Sequence, residues 1–308
     1  MSTSTTIQPP TLLCFDVSYI LFYRYNALRR WYQHRHQTEI TDDVVQTDEF
    51  KTMFLRRLQE TVFGLVKTHT PTHILIAYDG QKNWRKQAHA TYKANRNHTA
   101  LTLNVFRMGI QWFRDNCSAA LLNDIQLHSQ KRKRKHTSPL PIPQVVHMHN
   151  DSLEADDLIH AATIVHQTQG MSDESIQQIK TIIIANDHDY LPLKRFPHVL
   201  IQNLAGKTIE LPEGIKANQM LMYKALIGDK SDNLPSPIRG CGKKRALLYV
   251  QDNDSMQKAL DAQTGAREAF ERNLHLMDNT RIPFELQQWI QGQLSNFDMH
   301  KPPFSLII

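Results

Sequence analysis

The chain has 308 residues, of which 41% are hydrophobic and 21% charged, with 11 Gly and 14 Pro. That composition excludes collagen-like, low-complexity and wholly disordered classes and leaves room for one large domain or two smaller ones with a real core. The formal net charge of +6 and an isoelectric point near 9.1 favour an anionic partner such as nucleic acid, with a basic metabolic protein as the alternative.

The first ten residues, Met1 to Pro10, carry no basic region and read as a flexible tail, not an export signal. The apolar stretch from Leu12 to Tyr23 is interrupted by Asp16 and Ser18, so no membrane span is expected. Cys14, Cys117 and Cys241 stand far apart and fit neither a disulfide framework nor a zinc site. The expected compartment is therefore intracellular, cytoplasmic or nuclear, with no secretion and no membrane partner.

Short apolar runs predict buried strands at Leu12 to Phe15, His73 to Tyr78, Gln144 to His149, Thr181 to Ala185 and Val199 to Gln202. Helical periodicity occupies Phe50 to Val66, Leu101 to Leu122 and Leu153 to Val165. This alternation predicts an α/β fold with a mostly parallel central sheet flanked by helices.

Acidic residues follow the strands. Asp16 ends the first run and Asp79 follows the second; Glu154, Asp156 and Asp157 come shortly after the third, and Asp187 and Asp189 after the fourth. Asp229 and Asp232 lie further on. In a parallel sheet the crevice lies beyond the carboxyl ends of the strands, so these groups should converge there. Each one singly also fits a helix cap or turn residue. Together they repel: two carboxylates ~4 Å apart oppose one another by about 4 kcal/mol at an effective dielectric of 20. All-oxygen ligation suits hard divalent ions such as Mg²⁺ or Mn²⁺, and a pair of such ions supports in-line displacement at phosphorus. Metal-dependent phosphodiester chemistry is the expectation.

Tyr78-Asp79-Gly80, Trp84-Arg85-Lys86, Tyr92-Lys93-Ala94-Asn95-Arg96, Glu154-Ala155-Asp156-Asp157, Asp187-His188-Asp189 and Gly228-Asp229-Lys230-Ser231-Asp232-Asn233 occur in that order. The set resembles the 5′ nuclease family of phage flap endonucleases and the 5′ nuclease domain of bacterial DNA polymerase, from about Asp16 to Val250. The resemblance implies a PIN-like core with a helical arch, and metal ligation by Asp16, Asp79, Glu154, Asp156 and Asp157 at one ion and by Asp187, Asp189, Asp229 and Asp232 at a second. It also implies that Lys93 and Arg96 act catalytically on the scissile phosphate, that Arg85 and Lys86 contact DNA, and that Tyr92 stacks on a base. Ile238 to Arg245 resembles the hairpin of a helix-hairpin-helix element, with Gly240, Gly242, Lys243, Lys244 and Arg245 on duplex phosphates and a K⁺ ion held by main-chain carbonyls. This sequence departs from the family at Asn186, where Gly is usual, at His188, and in a longer Pro235 to Ile238 connection.

The implied organisation is a tail over 1–10, a nuclease core over 11–220 with the arch at about 80–123 and a basic loop at about 124–143, and a carboxyl-terminal helical region over 221–308. The implied activity is two-metal hydrolysis near the 5′ ends of flap, nicked or branched DNA. Flap endonuclease and 5′→3′ exonuclease action in replication or repair, RNA primer removal from RNA–DNA hybrids and a monomeric state are expected with it. A noncatalytic binder of branched DNA and a Mg²⁺-dependent phosphatase are the competing readings. Lys131 to Lys135 reads as a solvated loop, a nonspecific DNA contact or an import-like patch. His147 and His149, like His34 and His36, lack the partners zinc requires.

Overall fold

The computed structural model describes residues 10–96, 100–133, 140–172 and 179–295. Its elements in chain order begin with β1 (Thr11–Asp16), α1 (Val17–His36), α2 (Asp42–Gln46), α3 (Asp48–His69), β2 (His73–Ala77) and α4 (Trp84–Ala88). Next come α5 (Ala100–Asp115), α6 (Cys117–Lys133), β3 (Gln144–Met148), α7 (Ala155–Ser172) and β4 (Lys180–Ile184). A 3-10 segment (His188–Arg195), β5 (Val199–Gln202) and a 3-10 turn (Ala217–Gln219) lead to α8 (Met220–Ile227), α9 (Lys243–Gln251), α10 (Asn253–Asp261), α11 (Ala266–Met277) and α12 (Phe284–Ser295).

The five strands form one sheet in the order β3-β2-β1-β4-β5, and every pairing is parallel. Period-2 alternation in β1 sends Leu12 and Cys14 to one apolar layer and Leu13 and Phe15 to the other. The first layer is closed by α7 and α8 to α12, through residues such as Leu158, Leu226, Met256, Phe270 and Ile290. The second is closed by α1, α3, α5 and α6, through Ile20, Phe54, Phe113 and Ile125. From β1 the chain builds outward through β2 to β3, then returns to β4 on the other side of β1. This reversal opens a crevice beyond the carboxyl end of β1.

Two expectations change. The periodic stretch from Leu101 to Leu122 is two helices, broken at Asn116. Val105, Trp112, Phe113, Cys117 and Leu121 are buried in the second apolar layer, so this part of the expected arch is a wall of the core. The basic run does not begin in a loop, because α6 continues through Lys133; Arg134 and Lys135 lie outside the described residues, as does most of the expected tail. Among the described residues no helix is long and apolar enough to cross a membrane.

One turn is pinned by glycine. Gly228 ends α8 at φ +78, and an added Cβ would stand 2.4 Å from Leu234 O and 2.6 Å from Ser236 N. Left-handed strain and backbone collision act together there. Gly228→Ala is therefore expected to lower stability by at least ~2 kcal/mol, read as a reduced urea midpoint at unchanged m-value.

Candidate active site

A cavity of about 380 Å³ opens beyond the carboxyl ends of β1, β2 and β4, lined by Asp16, Asp79, Glu154, Asp156, Asp187, Asp189, Asp229 and Asp232 together with Lys93 and Arg96. Eight of the nine carboxylates expected to meet thus line one space, drawn from five separate chain segments.

Local hydrogen bonding aims most of them. Asp16 caps α1 by accepting the Tyr19 N–H at Oδ1, 3.0 Å, and its Oδ2 accepts the Tyr190 hydroxyl at 3.1 Å. Asp79 accepts the Ala155 N–H at the start of α7, 2.9 Å, and the Ser18 hydroxyl at 2.5 Å. Behind it Gly80 lies against the Asn150 carbonyl, which an added Cβ would meet at 2.2 Å; only glycine fits that close approach. Asp187 caps the following 3-10 segment through the Asp189 N–H, 2.9 Å. Asp229 opens a tight turn closed by its bridge to Leu234 and accepts both the N–H and the hydroxyl of Ser231, at 2.8 and 2.7 Å. Cap and site are the same carboxylates.

The chain's own cations stand among these acids. Lys93 Nζ pairs with Glu154 and lies 3.9 Å from Asp232 Oδ1. Arg96 Nη2 donates to Asp232 Oδ1 at 2.7 Å. Lys224 Nζ, from α8, pairs with Asp189 and lies 3.9 Å from Asp229 Oδ2. With these side chains interposed, no three Asp, Glu, His or Cys among the described residues are disposed to hold an ion as they stand. Burial, reinforced by the charge of Asp79, pushes the Asp16 carboxyl up to about 8. Burial would raise Asp156 too, but Arg85 and Lys93 hold it below its ordinary range. Neighbouring carboxylates therefore differ in proton affinity, as in sites that bind cations or move protons.

Three expected roles are corrected. Arg85 does not face DNA: it is 1% exposed, forks onto Asp157 at 2.8 and 2.7 Å, reaches Glu154 at 3.2 Å and donates from Nε to Leu276 O at 2.6 Å. Burial alone would lower its pKa, yet Asp157, Asp156 and Glu154 hold it well above the ordinary value. Asp157 is consequently no cavity ligand; it is fully buried and also accepts the Glu154 N–H at 3.0 Å, as the N3 acid of a capping box does. Tyr92 offers no ring for base stacking, because it packs with Leu234 and Leu276. Its hydroxyl lies 3.0 Å from Glu154 Oε2 and 3.1 Å from Asp232 Oδ2. Burial and those two carboxylates keep it protonated.

Lys86, Gly240, Gly242, Lys243, Lys244 and Arg245 are exposed. The last five form the turn and first residues of α9, with Gly240 at φ +72. His147 is held between the Tyr78 hydroxyl at 2.7 Å and Ser118 at 3.2 Å. Lys224, Ser18 and Tyr190 were missed by the sequence reading. Lys224 did leave a signal, as the lone charge in the otherwise apolar segment Met220 to Ile227.

Removing Arg85 would strand Asp157 in the interior. Arg85→Ala should cost about 3–5 kcal/mol in chemical denaturation, far more than loss of an exposed DNA contact would. The sign for Asp16 is opposite to that of an ordinary ion-paired acid. Its folded pKa lies above the unfolded one, so the folded state holds the proton and loses stability as pH rises from about 4 through about 8. Metal-free Asp16→Asn should therefore show a flatter fall in melting temperature between pH 5 and 8 than the unmodified chain. Added Mg²⁺ should raise the melting temperature of the unmodified chain more at pH 8 than at pH 6.

Comparison with known proteins bears on family and fold. Residues 11–219 match the family described as 5′-3′ exonuclease, N-terminal resolvase-like domain. A flap endonuclease Xni of Shewanella sp. (strain MR-4) is 29% identical over 232 residues, covering 73% of this chain and 75% of that protein. The DNA polymerase I of Caldicellulosiruptor bescii is 24% identical over 259 residues, covering 80% of this chain and 25% of the polymerase. Among solved structures, the T5 D15 protein co-crystallised with metal ions superimposes with a TM-score of 0.56 at 18% identity, covering 94% of this chain and 100% of that one. At that identity the superposition speaks to fold. The family match spans more than half of the residues, and the chain belongs to the 5′-3′ exonuclease family.

Proposed function

We propose that the chain is a divalent-metal-dependent, structure-specific 5′ nuclease that hydrolyses phosphodiester bonds near the 5′ ends of flap, nicked or branched DNA. The observation that carries this reading is the single cavity where eight carboxylates meet two cations, Lys93 and Arg96. Its donor set is entirely oxygen, which suits Mg²⁺, with Mn²⁺ as a substitute. A T5 5′-exonuclease has been crystallised with zinc as its divalent ion, and a T5 D15 flap endonuclease with DNA and metal ions. Family membership sets aside the phosphatase alternative.

Asp16, Asp79, Glu154 and Asp156 would hold one ion, and Asp187, Asp189, Asp229 and Asp232 a second. Bound there, such ions would supply a water nucleophile at neutral pH and would neutralise charge at the leaving oxygen. Lys93 remains protonated: burial lowers its pKa, but Glu154 and Asp232 together raise it above its ordinary value. Both Lys93 and Arg96 are tethered beside the cavity by backbone contacts, Lys93 N–H to Asp232 O at 3.0 Å and Arg96 Nε to Ser231 O at 3.2 Å. Their heads are thereby placed to exchange a carboxylate for a phosphate oxygen. Tyr92 keeps Glu154 and Asp232 in register through its hydroxyl. The exposed turn at Gly240 and Gly242, with Lys243, Lys244 and Arg245, offers backbone N–H groups and cations to duplex phosphates without reading bases. Its main-chain carbonyls are the proposed K⁺ site. Roles in replication or repair, RNA primer removal and a monomeric state complete the proposal.

A labelled 5′-flap duplex should be cut in Mg²⁺ and left intact after chelation; no cutting in Mg²⁺ or Mn²⁺ would sink the reading. Asp187→Asn should abolish cutting while duplex binding persists. Lys93→Ala should slow cleavage at least ~100-fold while weakening duplex binding only a few-fold.

A further inference from the structure

The helix that leaves the carboxylate cavity has the opposite charge. α1 carries Arg24, Arg29, Arg30 and Arg35 and no acidic residue in 20 positions. A second cavity, of about 530 Å³, runs along its solvent side and includes Asn26, Arg29, Arg30 and Gln33 in its wall, with no carboxylate in the lining. It joins the carboxylate cavity through Tyr19, Phe22 and Asn186, which line both. Phe22, at the junction, is 59% exposed, and both Arg29 and Arg30 are exposed. The positions Phe22, Asn26, Arg29, Arg30 and Gln33 recur at helical spacing and form one stripe along α1.

The physics of this stripe selects its occupant. Guanidinium groups in a wall without acids attract a polyanion. A bare aromatic ring at the mouth attracts a base face, which an unpaired nucleotide offers and a stacked, paired one does not. From Phe22 to Gln33 the helix advances about 16 Å at 1.5 Å per residue.

We infer that the Arg29–Arg30 face of α1 is a binding track for the unpaired DNA strand next to the scissile bond, continuous with the carboxylate cavity. The inference deepens the nuclease reading by naming where the single strand lies, and it rests on that reading only for the identity of the bond being cut.

The test is the double variant Arg29→Ala/Arg30→Ala. Both side chains are exposed, so the melting temperature should match that of the unmodified chain. Binding is measured by fluorescence anisotropy in chelator, with a 5′-flap duplex and with the same nicked duplex lacking the flap. The variant should bind the flap substrate roughly tenfold more weakly, with a salt slope shallower by about 1.4 for two lost single-strand phosphate contacts. The flapless duplex should bind unchanged. Unchanged flap binding, or equal losses on both substrates, would overturn the inference. Cleavage of the flap by the unmodified chain in Mg²⁺ is followed in parallel. Cleavage with unchanged variant binding rejects the track and leaves the nuclease reading standing. No cleavage with a flap-selective binding loss rejects the nuclease reading and leaves the track.

Discussion

Repulsion among carboxylates at the crevice of the sheet is the constraint around which the rest of this molecule is arranged. Eight acids share one cavity, and a single close pair opposes itself by several kcal/mol even at an intermediate dielectric. The chain relieves part of this with its own cations: Lys93 and Arg96 from the segment after α4, and Lys224 from α8. Arg85 adds an interior counter-charge beneath the cavity floor. In the proposed reaction divalent ions would enter a site already partly neutralised, and Lys93 and Arg96, released from their carboxylates, would become available to phosphate.

The acids also build the elements that present them. Asp16 caps α1, Asp79 accepts the first N–H of α7, and Asp187 caps its 3-10 segment. The ordinary reading of a strand-ending aspartate as a cap and the functional reading as a ligand are therefore compatible. A cap fixes its carboxylate to within one hydrogen bond, and a strand in a parallel sheet fixes the cap. Position at the site follows from position in the fold.

Much of this was legible in the chain. Short apolar runs located all five strands, acids followed four of them, and the parallel crevice rule brought eight carboxylates to one place. What linear pattern does not encode is which way a side chain turns when several elements compete for it. Arg85 and Lys86 are adjacent and both cationic, yet one is enclosed by Asp157, Glu154 and Leu276 O while the other is exposed. Tyr92 sits in a basic motif that suggests stacking, but Leu234 and Leu276, remote in sequence, claim its ring. The helix break at Asn116 leaves no Gly or Pro to mark it, and the burial of α5 depends on partners in α1 and α3. Lys224 was visible only as an anomaly in an apolar segment.

The tie from Arg85 to Leu276 O has a further consequence. Every acid of the cavity precedes residue 233, so a shortened polypeptide ending there would retain the full set of charges. It would nevertheless lack α11, which receives the Arg85 guanidinium and, through Leu276, half-encloses Tyr92. Arg85, Tyr92 and the adjoining Lys93 would lose their seat, and the acids would face one another with weaker internal compensation. The catalytic half and the helices behind it are therefore mechanically one body: severing them would leave the inventory of the site intact and its alignment gone.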